Sequence, residues 1–212
     1  IEEYLLRQNL PYVIYGGVRF YERLEIKNVL AYLRLIVNRN DNAAFERSIG
    51  APTRGIGEKT LEQIRAYSQK NDLSLFQSCK GLVKDGGLKG KAGKSLDLFC
   101  DFIETCAEII HELPSDEFVE KVINQSGLID HHMKEKGEKG RIRIENINEL
   151  ISAVKSFEII NKNEDLSEYD SFIAAFLSSV SLDMGETQAS KTDDAVQLLS
   201  LIHISEPTRP MN

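Results

Sequence analysis

The stretch Pro52-Thr53-Arg54-Gly55-Ile56-Gly57-Glu58-Lys59-Thr60 decides the fold of the helical part of this 212-residue chain. Its two glycines stand between segments with helical periodicity, and glycine adopts backbone angles that are closed to other residues. Residues 58–67 predict a helix whose first amide groups and dipole attract an anion. An ordinary turn between two helices would also use glycine. The stretch therefore predicts either a plain helical corner or a helix-hairpin-helix that holds a nucleic-acid phosphate without reading bases.

The composition excludes several classes of protein. Hydrophobic residues make up 42% of the chain and charged residues 28%, which is typical of a globular protein of one or two domains. The formal net charge of −7 means that any contact with nucleic acid must come from a local basic patch. No apolar run reaches the ~18 residues that a membrane helix needs, and no signal peptide is visible. We expect a cytoplasmic protein with reduced core cysteines at Cys79, Cys100 and Cys106.

Helical periodicity dominates the chain after a mixed beginning. A helix ending near residue 9, a β-prone run at 12–15 and a longer helix with an apolar stripe predict an α-β-α piece. We expect this piece to belong to an α/β domain whose other strands lie outside the chain. Ser74 and Ser115 are the expected N-caps of two later helices. From residue 41 onward no second strand stands out, and helices are predicted at 43–49, 58–70, 74–84, 94–113, 116–125, 144–157 and 169–182.

Two glycine-lysine segments, 89–95 and 134–143, are the other candidates for phosphate chemistry. The first imitates a P-loop ending in Lys94, but it lacks the first glycine and the preceding strand, so we expect no nucleotide site. The second has five basic and two acidic residues and predicts either a DNA contact or a solvated loop. The adjacent His131 and His132 have no third ligand nearby in the sequence, and we expect no metal site.

Several stretches taken together carry a family resemblance: residues 10–34, 38–47, 52–57, 135–140 with 143–150, and 194–198. They resemble superfamily 1A DNA helicases of the UvrD/Rep/PcrA type over nearly the whole chain up to residue 198. The resemblance implies movement 3′ to 5′ along single-stranded DNA, driven by ATP and Mg²⁺ bound between two RecA-like domains. It also implies that a helical accessory domain, called 2B, is inserted into the second of these domains, 2A.

The resemblance implies a division of the chain into four parts. Residues 1–41 would be a piece of domain 2A, residues 42–192 a 2B-like accessory domain, and residues 193–198 the start of the return to 2A. Residues 199–212 resemble a translated sequencing adapter and are expected to be a non-native tail. The expected fold class is mostly α, an all-helical accessory domain with a helix-hairpin-helix-like Gly-Ile-Gly motif, preceded by the α-β-α piece of a RecA-like α/β domain.

The same resemblance implies the DNA-contacting residues. The hairpin would contact duplex DNA, and the segment around Arg19 and Arg23 would lie near the single-strand track. No catalytic residue is expected, because the P-loop, the Mg²⁺-binding acidic pair and the arginine fingers of such helicases fall outside these stretches. The predicted DNA-binding residues are Arg54, Gly55, Ile56, Gly57, Lys59, Thr60, Arg19, Arg23, Lys139, Arg141 and Arg143.

The implied function is a fragment of an ATP-dependent 3′–5′ DNA helicase of repair or replication, which carries the duplex-binding, regulatory 2B domain without the motor. We expect no cofactor in this fragment, with ATP and Mg²⁺ used by the parent protein. The expected partners are DNA, bound without sequence preference, and repair proteins, with no membrane. The alternative is a freestanding helix-hairpin-helix module for DNA binding or protein interaction, without enzymatic activity.

Overall fold

The computed structural model describes residues 12–15, 20–164, 166, 168–185 and 196–199. Within these residues the fold is mostly α-helical, as predicted. A 3-10 turn, Phe20–Glu22, precedes the first described helix, and no described helix is long and apolar enough to cross a membrane. The described strands are β1 (Tyr12–Tyr15) and β2 (Val196–Leu199), and the described helices are α1 (Leu24–Val37), α2 (Asn42–Gly50), α3 (Glu58–Asn71), α4 (Leu75–Lys84), α5 (Gly90–Glu108), α6 (Ser115–Ser126), α7 (Leu128–Met133), α8 (Glu138–Ile160) and α9 (Phe172–Gly185).

The chain divides into two compact units, and the smaller one comprises residues 1–24 and 179–212. It contains β1 and β2, which pair in parallel with Tyr12 opposite Val196. The expectation that all partner strands of β1 lie outside the chain was therefore wrong. A strand of only four residues has too short a pattern to be recognised by alternation. The predicted helix before β1 and residues 200–212 of the predicted tail lie outside the described residues.

The larger unit comprises residues 25–178 and is helical. Its boundaries fall inside α1 and α9, whereas the sequence predicted boundaries after residues 41 and 192. Burial along α1 is also broader than the predicted apolar stripe, because all residues from 28 to 33 are buried. A helix that is buried on most sides belongs to a core rather than to a single packed face.

All the predicted helices after residue 41 appear, with shifted ends. α5 runs from Gly90 to Glu108 instead of 94–113, so that Ile109 and Ile110 lie in the following turn, and α8 begins at Glu138 instead of residue 144. Pro114 disfavours helical angles at residue 113, which was the predicted last residue of α5. The short helix α7 was missed, since six residues are too few for a clear helical period.

The two predicted N-caps have different outcomes. Ser74 caps α4 in a capping box with Gln77, as predicted. Ser115 is instead the first residue of α6, and its backbone N–H donates to Oε2 of Glu158 at 2.9 Å. A carboxylate from α8 therefore satisfies the start of α6 and ties these two packed helices together.

Aromatic rings form the part of the core that lies below the loop between α2 and α3. Tyr32 of α1 and Phe45 of α2 both meet Phe99 of α5 edge-on, with ring centroids 6.3 Å and 6.0 Å apart, respectively. Such edge-to-face pairs add to the free energy gained from burial.

The three cysteines are buried and unbridged, as predicted, and burial raises the pKa of the Cys106 thiol to about 11. This part of the core is therefore apolar and holds its helices in one arrangement.

Candidate nucleic-acid interface

Residues 51–57, called the hairpin below, connect α2 to α3. Gly55 has a φ of +72°, in the left-handed region that side chains disfavour. No atom lies within 4 Å of a Cβ built there, so the backbone conformation, and not crowding, requires glycine. Gly57 ends the hairpin as the N-cap of α3 and provides no side chain to cap it. Gly55 and Gly57 are both exposed, and Ile56 between them is half-buried.

The amide groups at the start of α3 are open. Thr60 and Leu61 donate their backbone N–H groups to the carbonyl of Gly57, at 3.0 Å and 3.3 Å. Among the hydrogen bonds found between described residues, none has an amide of residues 55–59 as its donor. A helix start leaves such amides unsatisfied unless a side chain, water or a ligand accepts from them. These five consecutive amides are therefore free to bind an anion.

The Arg54 side chain points into the protein, in contrast to the predicted DNA contact. Its Nη1 donates to the carbonyls of Ser48 and Pro52, at 2.9 Å and 3.0 Å. Its Nη2 donates to the carbonyl of Ser126 at 3.1 Å and to the phenol of Tyr32 at 2.5 Å. An arginine with both terminal nitrogens bonded internally has little left to offer a phosphate. In this structure the guanidinium of Arg54 is bonded internally, and its contact with DNA stays a prediction.

The phenol of Tyr32 is the second part of this arrangement. Its oxygen lies 2.8 Å from the carbonyl oxygen of Ser48 and 2.7 Å from that of Ala51, so its single O–H is shared between these two acceptors. Burial raises the pKa of Tyr32 to about 12, against the opposing effect of Arg54. The phenol is thus neutral at ordinary pH and can donate to a carbonyl while it accepts from Arg54. No local pattern in the sequence indicates that Tyr32 contacts the hairpin.

The side chains in the first turns of α3 determine the charge next to the open amides. Lys59 is exposed and Thr60 is half-buried. The carboxylate of Glu58, which would repel a phosphate, lies 2.6 Å from the guanidinium of Arg65. Arg65 is also bonded to Glu46 at 2.7 Å. Glu58 is therefore partly neutralised at the place where an anion would approach.

The second basic segment has its cations in two different environments. Lys139 and Arg141 are exposed, and Arg141 makes only loose ion pairs with Glu138 and Glu145, at 3.9 Å and 3.4 Å. Arg143 is half-buried and donates to Oε1 of Glu135 at 2.6 Å. Lys139 and Arg141, together with the exposed Lys134 and Lys136, are therefore the side chains of this segment that can reach a phosphate in solution.

Arg143 also compensates a buried charge. Its Nε lies 3.8 Å from the carboxylate of Glu25, which is 6% exposed and also accepts from Nδ2 of Asn146 at 2.6 Å. A buried carboxylate is tolerated when it is paired and hydrogen-bonded. Arg143 therefore forms internal ion pairs in this structure, and its contact with DNA stays a prediction.

The structure brings a third potential metal ligand to the two adjacent histidines, which the sequence had not predicted. Donor atoms of His131, His132 and Glu135 lie within 4.8 Å of one another, and Nδ1 of His132 is 2.7 Å from Oε1 of Glu135. The hydrogen bond to His132, and then Arg143, lower the pKa of the Glu135 carboxyl. Because the Arg143 guanidinium occupies the same carboxylate oxygen, this cluster fits an ion pair better than a metal centre.

The remaining predicted residues lie elsewhere. Arg19 is outside the described residues, and the guanidinium of Arg23 stacks on the ring of Phe20 at 5.3 Å. Lys94 lies in the first turns of α5, which follows a turn and not a strand. This placement confirms that residues 89–95 do not have the strand-loop-helix setting of a P-loop.

The described fold and hairpin define a class of protein: a helical unit with an open glycine hairpin, attached to a parallel pair of strands. Residues 1–86 match the family described as the UvrD-like helicase C-terminal domain. DNA helicase II of Escherichia coli is 46% identical over 201 residues, which are 95% of this chain and 27% of that protein. DNA helicase II of Haemophilus influenzae is 43% identical, and ATP-dependent DNA helicase PcrA of Bacillus subtilis is 36% identical, each over the same shares.

Residues 1–86 thus match this family, and along 95% of its length the chain is similar to DNA helicases of the UvrD/Rep/PcrA type, as its sequence predicted. It spans about a quarter of the length of these relatives.

Proposed function

We propose that this chain is the duplex-holding part of an ATP-dependent 3′–5′ DNA helicase, with residues 25–178 serving as most of a 2B-like accessory domain. The observation that carries the proposal is the run of five amides at residues 55–59, which donate to no other described residue and lie at the start of a fourteen-residue helix, four of the five residues being exposed. The relatives, named as DNA helicases, favour this function over a freestanding binding module.

The hairpin would bind phosphate through the backbone. Amides that already stand in place at a helix start bind an anion without a costly rearrangement, and the helix dipole adds to the attraction. Such contacts position a duplex but carry no base information, so binding would be independent of sequence. The net charge of −7 opposes a polyanion, so affinity would be weak and sensitive to salt.

Side-chain cations would make a second, smaller contribution to the affinity for DNA. Lys59 follows the hairpin directly, while Lys139 and Arg141 lie on the first turn of α8. Each cation that neutralises a phosphate releases counterions, which makes its contribution fall as salt rises. We propose Arg19 and Arg23, which precede the helical unit in the chain, as the residues that contact single-stranded DNA where it joins the duplex.

The whole protein would supply the motor. ATP and Mg²⁺ would act in RecA-like domains to which residues 1–24 and 193–198 contribute, and this chain alone would not hydrolyse ATP. Closure of those domains around ATP would move the single strand, while the hairpin holds the duplex ahead of it. A role in DNA repair or replication, and repair proteins as partners, are part of the same proposal.

A matched pair of glycine substitutions tests the hairpin. Gly55 and Gly86 are both exposed, both have φ near +70°, and neither has an atom within 4 Å of a built Cβ. Gly55→Val and Gly86→Val should therefore be strained alike. We expect Gly55→Val to weaken binding of the 212-residue chain to a fluorescent blunt duplex about tenfold, equivalent to about 1.4 kcal/mol. Gly86→Val should bind as the wild type does. Equal affinities for the two variants would overturn the proposal.

A further inference from the structure

We propose that Arg54 is a positioning residue: its guanidinium locks the hairpin into the orientation in which the amides of residues 55–59 form a ready phosphate site. This inference rests on the proposed function of the hairpin. It assigns to Arg54 a role different from the direct DNA contact that its place in the motif suggests. The residue acts on DNA only through the backbone that it holds.

The hydrogen bonds of Arg54 join three segments of the helical unit. Ser48 lies in the last turn of α2, Pro52 lies in the hairpin itself, and Ser126 is the last residue of α6, 72 positions away in the sequence. All of these acceptors are backbone carbonyls, so the guanidinium fixes main-chain positions and not rotatable side chains. One side chain thus ties the entrance of the hairpin to a helix that is distant in sequence.

An aromatic platform completes the lock. The guanidinium carbon lies 5.6 Å from the ring centroid of Tyr32 and 5.1 Å from that of Phe99, within the range of cation–π attraction. A Cβ built at Gly127 would be in ordinary van der Waals contact with Cγ of Pro52, at 3.5 Å, so the hairpin lies beside the residue that follows α6. Arg54 therefore joins the hairpin both to ring faces and to carbonyls.

Lysine cannot reproduce this set of contacts. A guanidinium is a planar fork with five N–H donors, and it stacks on rings, whereas an ammonium is a compact point charge on a flexible stem. The substitution Arg54→Lys therefore keeps the positive charge but loses the fork. A direct phosphate contact would tolerate this change to a large extent, and a positioning role would not.

The first experiment needs no DNA. Amide ¹⁵N relaxation on the 212-residue chain should give order parameters typical of rigid backbone, about 0.85, for Gly55, Ile56 and Gly57 in the wild type. In Arg54→Lys we expect values below about 0.6 at these amides, while the amides of α8 keep theirs. Unchanged order at the hairpin in Arg54→Lys would overturn the inference, whatever the protein does with DNA.

A milder variant, Tyr32→Phe, separates loss of the Arg54 contacts from loss of the fold. Tyr32→Phe keeps the ring below the guanidinium and removes one hydrogen-bond partner of Arg54. We expect a smaller decrease of the same order parameters, with the thermal transition retained. Hairpin order equal to that of the wild type in both variants would contradict the lock.

The second experiment measures duplex affinity against salt, with Lys59→Gln as the matched variant. Removal of a cation that contacts phosphate should reduce the slope of log K against log salt by about 0.9. We expect this change for Lys59→Gln. For Arg54→Lys we expect about a tenfold loss of affinity with an unchanged slope. Affinity of Arg54→Lys equal to that of the wild type would overturn the inference, whereas absence of duplex binding by the wild type would overturn the proposed function alone.

Discussion

The hairpin at 51–57 and the basic segment at 134–143 look alike in sequence but differ in what they expose. Both combine glycine with arginine, and in both the structure directs one arginine inward, Arg54 to backbone carbonyls and Arg143 to two carboxylates. What stays exposed is backbone at the hairpin and side-chain charge at the basic segment, where Lys139 and Arg141 point outward.

The difference teaches how each region should respond to change. A site made of backbone amides depends on conformation, so it should be sensitive to the residues that hold it. A site made of exposed cations depends on charge, so it should be sensitive to salt and tolerant of small structural shifts. On the proposal made above, the arginine of the hairpin motif serves the backbone site and not the ligand directly.

The largest expected effect is the loss of the aromatic platform below the hairpin. Phe99 is buried against Tyr32, Phe45 and Arg54. Phe99→Ala should lower the free energy of unfolding by about 3–5 kcal/mol, because it leaves a cavity in a packed core. Leu98, the residue before Phe99 in α5, is 71% exposed and provides the control. Leu98→Ala should change the free energy of unfolding by less than about 0.5 kcal/mol.

Urea unfolding followed by circular dichroism measures both variants of this pair. A difference between them of less than about 1 kcal/mol would show that the hairpin does not rest on a tightly packed core.

A smaller effect is expected from the ion pairs of the basic segment. Arg143→Gln removes the cation beside the buried carboxylate of Glu25, which still accepts from Asn146, and should cost about 1–2 kcal/mol. Arg141→Gln removes only exposed ion pairs and should cost less than about 0.5 kcal/mol. Chemical denaturation of the two variants distinguishes them, and equal costs would mean that Arg143 is a surface charge like its neighbour.

A further effect is expected only at high pH. The folded protein raises the pKa of Tyr32 from 10.0 to about 12, because burial disfavours the phenolate. The stability that comes from its neutral form is therefore complete below pH 10 and is lost as the pH rises toward 12. Between these values, melting temperatures should fall more steeply for the wild type than for Tyr32→Phe. Parallel curves would contradict a buried, hydrogen-bonded phenol at position 32.

Local patterns were enough to predict the helices and the hairpin glycines, and not enough to predict their partners. Apolar spacing and the positive-φ preference of glycine act over a few residues, so α2, α3 and Gly55 could be predicted from neighbours alone. The contacts Arg54 to Ser126 and Asn146 to Glu25 span 72 and 121 positions. No local pattern encodes such pairs, and the strand β2 likewise depends on β1, which lies at the opposite end of the chain.

The most direct test of the central claim is an amide ¹H–¹⁵N titration of the 212-residue chain with a short blunt DNA duplex at low salt. The account predicts that the largest shifts occur at the amides of residues 55–59, with smaller shifts near Lys139 and Arg141 and none at Gly86. Shifts confined to residues 139–143, with the hairpin amides unmoved at saturation, would contradict it.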